Sequence, residues 1–260
     1  MPVDGPPPRR SRLSRVLLGV AGVLTVAVLL GLGTWQVYRL QWKLDLIARV
    51  DARVHAAPVG PPGPQVWPEV TADADQYRHV AARGTFDNSR ETFVQAVTEQ
   101  GAGFWVLTPL HTAAGFSVLV NRGFVPTDRR DPASRAAGQV SGETGVSGLL
   151  RVTEPGGAFL RRNDPADDRW YSRDVAAIAA KRGLAEPVAP YFIDADATPN
   201  PGGLPIGGLT VVSFPNNHLV YAITWYALAL MLAGALIWAV RDERRSRAVT
   251  VEPDATRGPS

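Results

Sequence analysis

The sequence predicts a membrane protein in which two transmembrane α-helices flank an extracytoplasmic α+β domain built on an antiparallel β-sheet. Three observations carry this reading. Two uncharged apolar runs, Val16–Val37 and Leu219–Val240, each reach the roughly 20 residues needed to cross a hydrocarbon core. Between them, from Tyr77 onward, short runs rich in β-branched and aromatic residues alternate with glycine-containing turns. The basic residues then orient the chain. Arg9, Arg10, Arg12 and Arg15 precede the first run and Arg241, Arg244, Arg245 and Arg247 follow the second, against Arg39, Lys43, Arg49 and Arg53 just beyond the first. Eight against four places both termini in the cytoplasm and the middle outside.

In order, residues 1–15 are rich in Pro and Arg and read as a disordered cytoplasmic tail. The first span, 16–37, is longer than a signal-peptide core and no Ala-x-Ala site follows it, so it reads as an uncleaved anchor. Gly19, Gly22, Gly31 and Gly33 would let a second helix approach closely, and Trp35 and Tyr38 mark the outer interface. Leu40, Leu44, Ile47, Val50 and Val54 continue at helical spacing, which carries the helix to about Val54.

The external domain, 38–217, contains a stiff, extended Pro-rich linker at 56–68. Strands are expected at Tyr77–Phe86, Glu91–Val97, Phe104–Thr112, Phe116–Phe124 and Gly148–Thr153. Hairpin turns fall at Gly101-Ala102-Gly103 and Ala113-Ala114-Gly115, and the short spacing favours an antiparallel meander. Asp131–Gly145 is a polar loop. Ser172–Gly183 reads as a short helix capped by Ser172 or Asp174 and closed at Gly183. Strands at Pro190–Asp194 and Leu209–Phe214 lead to the second span, 218–240, and residues 241–260 form a second disordered cytoplasmic tail.

Composition removes several function classes. There is no cysteine, which excludes disulfides, thiolate metal sites and iron–sulfur clusters. A net charge of +3 gives no phosphate-tracking surface, so no nucleic-acid partner is expected. His55, His79 and His111 show no metal or relay spacing, and no nucleophile elbow occurs, so no enzyme activity is expected. Asp164, Asp167, Asp168 and Asp174 cluster around Asn163-Asp164-Pro165, which turn and cap chemistry explains. The glycine-rich run 202–208 contains a proline and lacks the Lys-Ser/Thr of a phosphate loop. Lysine is scarce and Ala, Gly and Pro are abundant, as in GC-rich bacterial coding; the cell membrane is the expected location.

The candidate site lies where the chain re-enters the membrane. His218, Tyr221, Ala222 and Trp225 stand at i, i+3, i+4 and i+7 and share one helix face. An imidazole, a small gap and an indole about 10 Å further along, at 1.5 Å rise per residue, would seat a flat, apolar, metal-bearing ligand such as haem. His218 is the axial ligand to the haem iron in this reading, its second ring nitrogen held by a neighbour such as Asn217. Arg122 and Arg39 are candidate donors to haem propionates.

Several stretches together resemble the Surfeit locus protein 1 family of cytochrome c oxidase assembly factors. They are Gly33-Thr34-Trp35-Gln36-Val37-Tyr38-Arg39-Leu40-Gln41-Trp42-Lys43; Tyr77, Val80, Gly84 and Phe86; Thr108-Pro109-Leu110; Val120-Asn121-Arg122-Gly123-Phe124-Val125-Pro126; Trp170-Tyr171-Ser172-Arg173-Asp174; Pro190-Tyr191-Phe192-Ile193-Asp194; and Asn216-Asn217-His218-Leu219-Val220-Tyr221-Ala222. The ordered set is specific where single blocks are weak. The resemblance implies a non-enzymatic role in maturing the haem-copper oxidase, with haem a as cofactor at His218 and Trp225, and with oxidase subunit I, haem a synthase and membrane lipid as partners. The alternative is a cofactor-free scaffold that stabilises subunit I or a haem synthase by protein contacts alone.

Overall fold

The computed structural model describes residues 12–158, 160–184 and 187–249. They form two compact units, one made of the chain up to Leu46 and from Phe214, the other Ile47–Ser213.

The first unit is helical. Helix α1 runs Arg12–Val54 without a break, as the apolar spacing predicts, and its last turns belong to the second unit. At 1.5 Å per residue its 43 residues extend about 65 Å. Both α1 and the C-terminal helix are long and apolar enough to cross a membrane. The expected tails are shorter than the sequence reading has them. Arg12–Arg15 are helical, and the second helix continues through Arg241 to Val249. Arg, Leu and Glu are good helix formers, so each span propagates into its polar flank, and Arg15 pairs there with Glu243. Residues 1–11 and 250–260 of those tails lie outside the described residues.

The second unit is the β-rich head. After a four-residue helix, α2 (Ala72–Asp75), come β1 (His79–Phe86), β2 (Thr92–Thr98), β3 (Gly101–Thr112), β4 (Ser117–Pro126) and β5 (Glu143–Val152). The two-residue strands β6 (Gly157–Ala158) and β7 (Arg161–Arg162) pair with each other; then follow α3 (Val175–Arg182) and β8 (Val188–Ala195). The large sheet has the order β1-β5-β8-β4-β3-β2, and β1 also pairs with β3. That pairing closes five strands into a ring. One edge of β3 is shared: β2 occupies it from Gly101 to Leu107 and the end of β1 from Leu110 to Thr112. The sheet is therefore neither a meander nor purely antiparallel, because β4 and β8 run parallel.

Leu209–Phe214, expected as a strand, forms none. Among the described residues the chain's last ladder contact falls just before it, where Ile206 makes an antiparallel bridge to Phe124 past the end of the β4–β8 pairing. The first hairpin turn is also displaced. Gly101–Gly103 belong to β3, and the chain reverses at Glu99–Gln100. Gly103 is needed inside the strand because a Cβ there would lie 2.5 Å from the Phe124 ring. The expected loop 131–145 instead holds a 3₁₀ segment, Pro132–Gly138, and the first residues of β5.

Both sheet faces are covered near β4 and β8. Val80, Leu110, Val118, Val120, Leu150, Tyr191 and Ile193 fill one core, while Leu107, Leu119, Phe192 and Trp170 form a second core under Val175 and Ile178 of α3. β4 is thus buried at nine successive positions and lacks the alternation that β1 shows. Asp174 caps α3 by accepting from Ala177 N at 3.1 Å, and Gly183 ends it in the left-handed region (φ 61°). The Pro-rich linker is packed, not free. Pro64–Glu69 is a 3₁₀ helix, Trp67 sits edge-on to Phe116, and both Trp67 Nε1 and the Tyr191 hydroxyl donate to Pro62 O.

Candidate functional site

The second long helix, α4, spans His218–Val249. Its Ala222, Tyr226, Ala229 and Leu236 recur at steps of four, three and seven and form the stripe that meets α1. Ala222 and Ala229 are almost completely buried. Two of the four glycines named as contact points act as such. A Cβ on Gly33 would lie 2.8 Å from the Tyr226 ring, and one on Gly22 would lie 2.7 Å from a Leu236 methyl, whereas Gly19 and Gly31 face open space. Thr34 donates to Leu30 O, so the Tyr226 hydroxyl, 3.0 Å away, donates to Thr34 Oγ1.

His218 opens α4 on the same stripe, and its Nδ1 lies 2.7 Å from Gln36 Oε1. An amide oxygen only accepts, so Nδ1 carries the hydrogen and the lone pair of the neutral ring is left on Nε2. Nε2 has no protein partner among the described residues. Gln36 is itself 9% exposed, three residues beyond Gly33 on the buried face of α1. Two residues before His218, the buried Asn216 Oδ1 has no hydrogen-bond partner. The neighbour expected to hold the imidazole, Asn217, instead supplies its backbone carbonyl to Tyr221 N.

The face drawn from the sequence is split. Ala222, expected as a gap beside the imidazole, is 2% exposed on the stripe packed toward α1. Its small side chain serves helix packing. Tyr221 is 53% exposed on the outer flank, and Trp225 is half-buried on that same flank. The fold therefore joins His218 to Gln36, and sets Tyr221 and Trp225 beside them along one open side. Gln36 carried one signal in the sequence: it is an amide within a largely apolar run, where an uncompensated polar group is costly.

The head holds two buried charge networks. Asp194 accepts from Asn121 at 2.7 Å, Arg151 at 2.8 Å and Arg173 at 3.1 Å, and Arg173 also donates to Glu154 at 2.6 Å. Burial pushes the Arg173 guanidinium down, but Asp194 and Glu154 outweigh it and hold it above its ordinary range. In the other network Arg135 donates to Glu91 at 2.6 Å, and Arg122 approaches the same carboxylate at 3.9 Å. Arg122, considered above for propionates, is 2% exposed and is hydrogen-bonded to Asn200 within the head. Arg39 stacks on Trp42 at 4.6 Å.

The acidic cluster is structural, as turn and cap chemistry predicts. Asp164 and Asp167 hold Arg169, Asp174 caps α3, and Asp168 accepts from Trp170 Nε1 at 2.7 Å and Arg182 at 2.8 Å. No cluster of metal-ligating side chains occurs among the described residues. Burial pushes the Asp168 carboxyl up, but the Trp170 and Arg182 hydrogen bonds outweigh it and keep it below the ordinary carboxylate range. Its stabilising effect is therefore complete above pH about 4 and is lost as the pH falls through its lower folded value. Asp168→Asn should lower the unfolding midpoint at pH 7 and flatten the acid limb of stability below pH about 4, which urea titrations across pH would measure.

The model of the SURF1 family matches residues 23–230. Over 226 residues the chain is 40% identical to Surfeit locus protein 1 of Homo sapiens, covering 80% of this chain and 72% of that protein. It is 39% identical over 242 residues to the Rattus norvegicus protein of the same name (86% and 75%). To a SURF1-like protein of Monosiga brevicollis it is 40% identical over 220 residues (78% and 79%).

Proposed function

The chain belongs to the SURF1 family, and from that premise we propose that it is a membrane-anchored assembly factor for the haem-copper oxidase. In this reading α1 and α4 cross the cell membrane, both termini are cytoplasmic, and the β-rich head stands outside. At the outer end of α4 the chain holds haem a for transfer to oxidase subunit I, in reach of a haem a synthase. The observation that carries the haem step is the Gln36–His218 hydrogen bond, because it fixes the imidazole as the Nδ1–H tautomer and presents Nε2 as a ligand.

The donor set fits the group. His218 Nε2 would take the iron, Tyr221 and Trp225 would line the apolar flank, and the unpartnered Asn216 Oδ1 can accept from a donor brought by the ligand. Bound there, haem a supplies the iron porphyrin that the oxidase requires. The protein's own contribution is to orient one imidazole and to offer lipid-facing apolar surface for the cofactor's isoprenoid tail. A single protein ligand suits a carrier, which must also release.

The test is optical. Protein purified from cells that make haem a should show a Soret band, and His218→Ala should abolish it. A colourless wild type from such cells would overturn the carrier reading and leave the cofactor-free scaffold, acting on subunit I or a haem synthase through protein contacts.

A further inference from the structure

The head contains a cavity of about 650 Å³, walled by β1, β4, β5 and the end of β8, with loop residues around Val140 and Thr198–Pro201 completing it. That volume falls in the range of about 300–1,000 Å³ usual for small-molecule sites. Phe86 and Val120 of the core, with Val140 and Val146 packed beside them, make its deep walls apolar. Arg122 also lines it, and only 2% of that residue is exposed.

The charge around Arg122 does not balance. Arg122 and Arg135 share one carboxylate, Glu91, at 3.9 and 2.6 Å. The remaining acceptors on Arg122 are neutral: Gly138 O, Asn200 Oδ1 at 2.9 Å and Asn88 Oδ1 at 3.4 Å. Arg83 and Asp196, which also line the cavity, bring one charge of each sign. One buried positive charge is left over. Burial pushes the Arg122 guanidinium below its ordinary range, and Glu91 does not restore it. Its Nη2 hydrogens go to Gly138 and Asn200, while Nη1 has nothing closer than Asn88 among the described residues. The Phe86 ring stacks on the guanidinium at 4.7 Å.

We propose that this cavity binds a compact apolar monocarboxylate, its headgroup on Arg122 and its body against Phe86, Val120 and Val146. Such a ligand supplies the missing negative charge to a buried guanidinium, where a charge-assisted hydrogen bond is strong. One charge is the correct stoichiometry, because a dianion would leave an excess of the opposite sign. The apolar walls ask for an acyl or aryl body. The cavity lies wholly within Ile47–Ser213 and does not involve His218, so its test is independent of haem.

The experiment is isothermal titration of the full-length chain in lipid nanodiscs with 2-naphthoate and with its uncharged isostere 2-naphthamide, against empty nanodiscs. The expected result is one saturable 2-naphthoate site per chain, at least tenfold tighter than 2-naphthamide. Arg122→Gln keeps the Glu91–Arg135 pair neutral and should erase that preference. Displacement by octanoate but not palmitate identifies a soluble acid as the source; displacement by palmitate at equal concentration identifies a membrane fatty acid. Equal binding of acid and amide by the wild type, or no saturable binding above empty nanodiscs, overturns the proposal even if the variant fails to fold. A folded Arg122→Gln protein that still prefers the acid overturns it as well.

Discussion

Replacing Glu91 by alanine is expected to destabilise the head by about 3–5 kcal/mol, the usual consequence of removing one partner from a buried ion pair. The side chains of Glu91, Arg122 and Arg135 are only 3%, 2% and 1% exposed, so water cannot replace the lost carboxylate. Gln139 Nε2, which donates to Glu91 at 3.2 Å, would lose its acceptor as well. Two guanidinium groups would then share the interior with neutral acceptors alone. Urea unfolding followed through tryptophan fluorescence measures the loss, since Trp170 is buried in the second core. A double-substitution cycle locates its cause. Glu91→Ala with Arg135→Ala removes one charge of each sign and should be no less stable than Glu91→Ala alone, because most of the cost is the unpaired guanidinium. A single-variant loss below about 1 kcal/mol would mean that the arginines escape to solvent and that the network is not closed.

That network also marks where the sequence stops being informative. The helices were legible because hydropathy acts over a whole span and needs no partner. The strands β1 to β4 and β8 and the Asp174 and Gly183 caps were legible because each follows from local pattern or backbone chemistry. Ring closure was not. Period-two alternation tells which face a residue occupies but not which strand lies beside it, so the parallel β4–β8 pair and the hand-over from β2 to β1 along β3 leave no local trace. The apolar run Leu209–Phe214 has the composition of a strand and still pairs with none. Glu91 and Arg135 are 44 residues apart, and nothing in either segment announces the other. At the helix pair, His218 could be singled out because an imidazole beside an apolar span stands out. Ala222 could not be assigned, because a small residue on a helix serves equally as a ligand gap or as the contact point of a second helix, and only the position of α1 decides.

On the proposed carrier role, substituting Gln36 by leucine should weaken haem retention by about 10- to 100-fold, the range found when the outer partner of a metal-ligating histidine is lost. The leucine nearly matches glutamine in volume but removes the acceptor 2.7 Å from His218 Nδ1. The imidazole is then free to rotate and to place its hydrogen on Nε2, the nitrogen required for ligation. Gln36→Glu keeps an acceptor, so it should retain the Soret band, whereas Asn217→Ala should change little because that side chain does not hold the ring. The measurement is a haem titration of each purified variant by difference absorption. Stability distinguishes this positional role from a structural one. Exchanging a buried amide for leucine within an apolar span removes a polar group from a costly environment, so the thermal midpoint of Gln36→Leu should hold or rise while its haem affinity falls. A fall in both together would mean that Gln36 holds the helix pair and not the imidazole. Unchanged affinity in a chain whose wild type is coloured would place the control of that ring elsewhere.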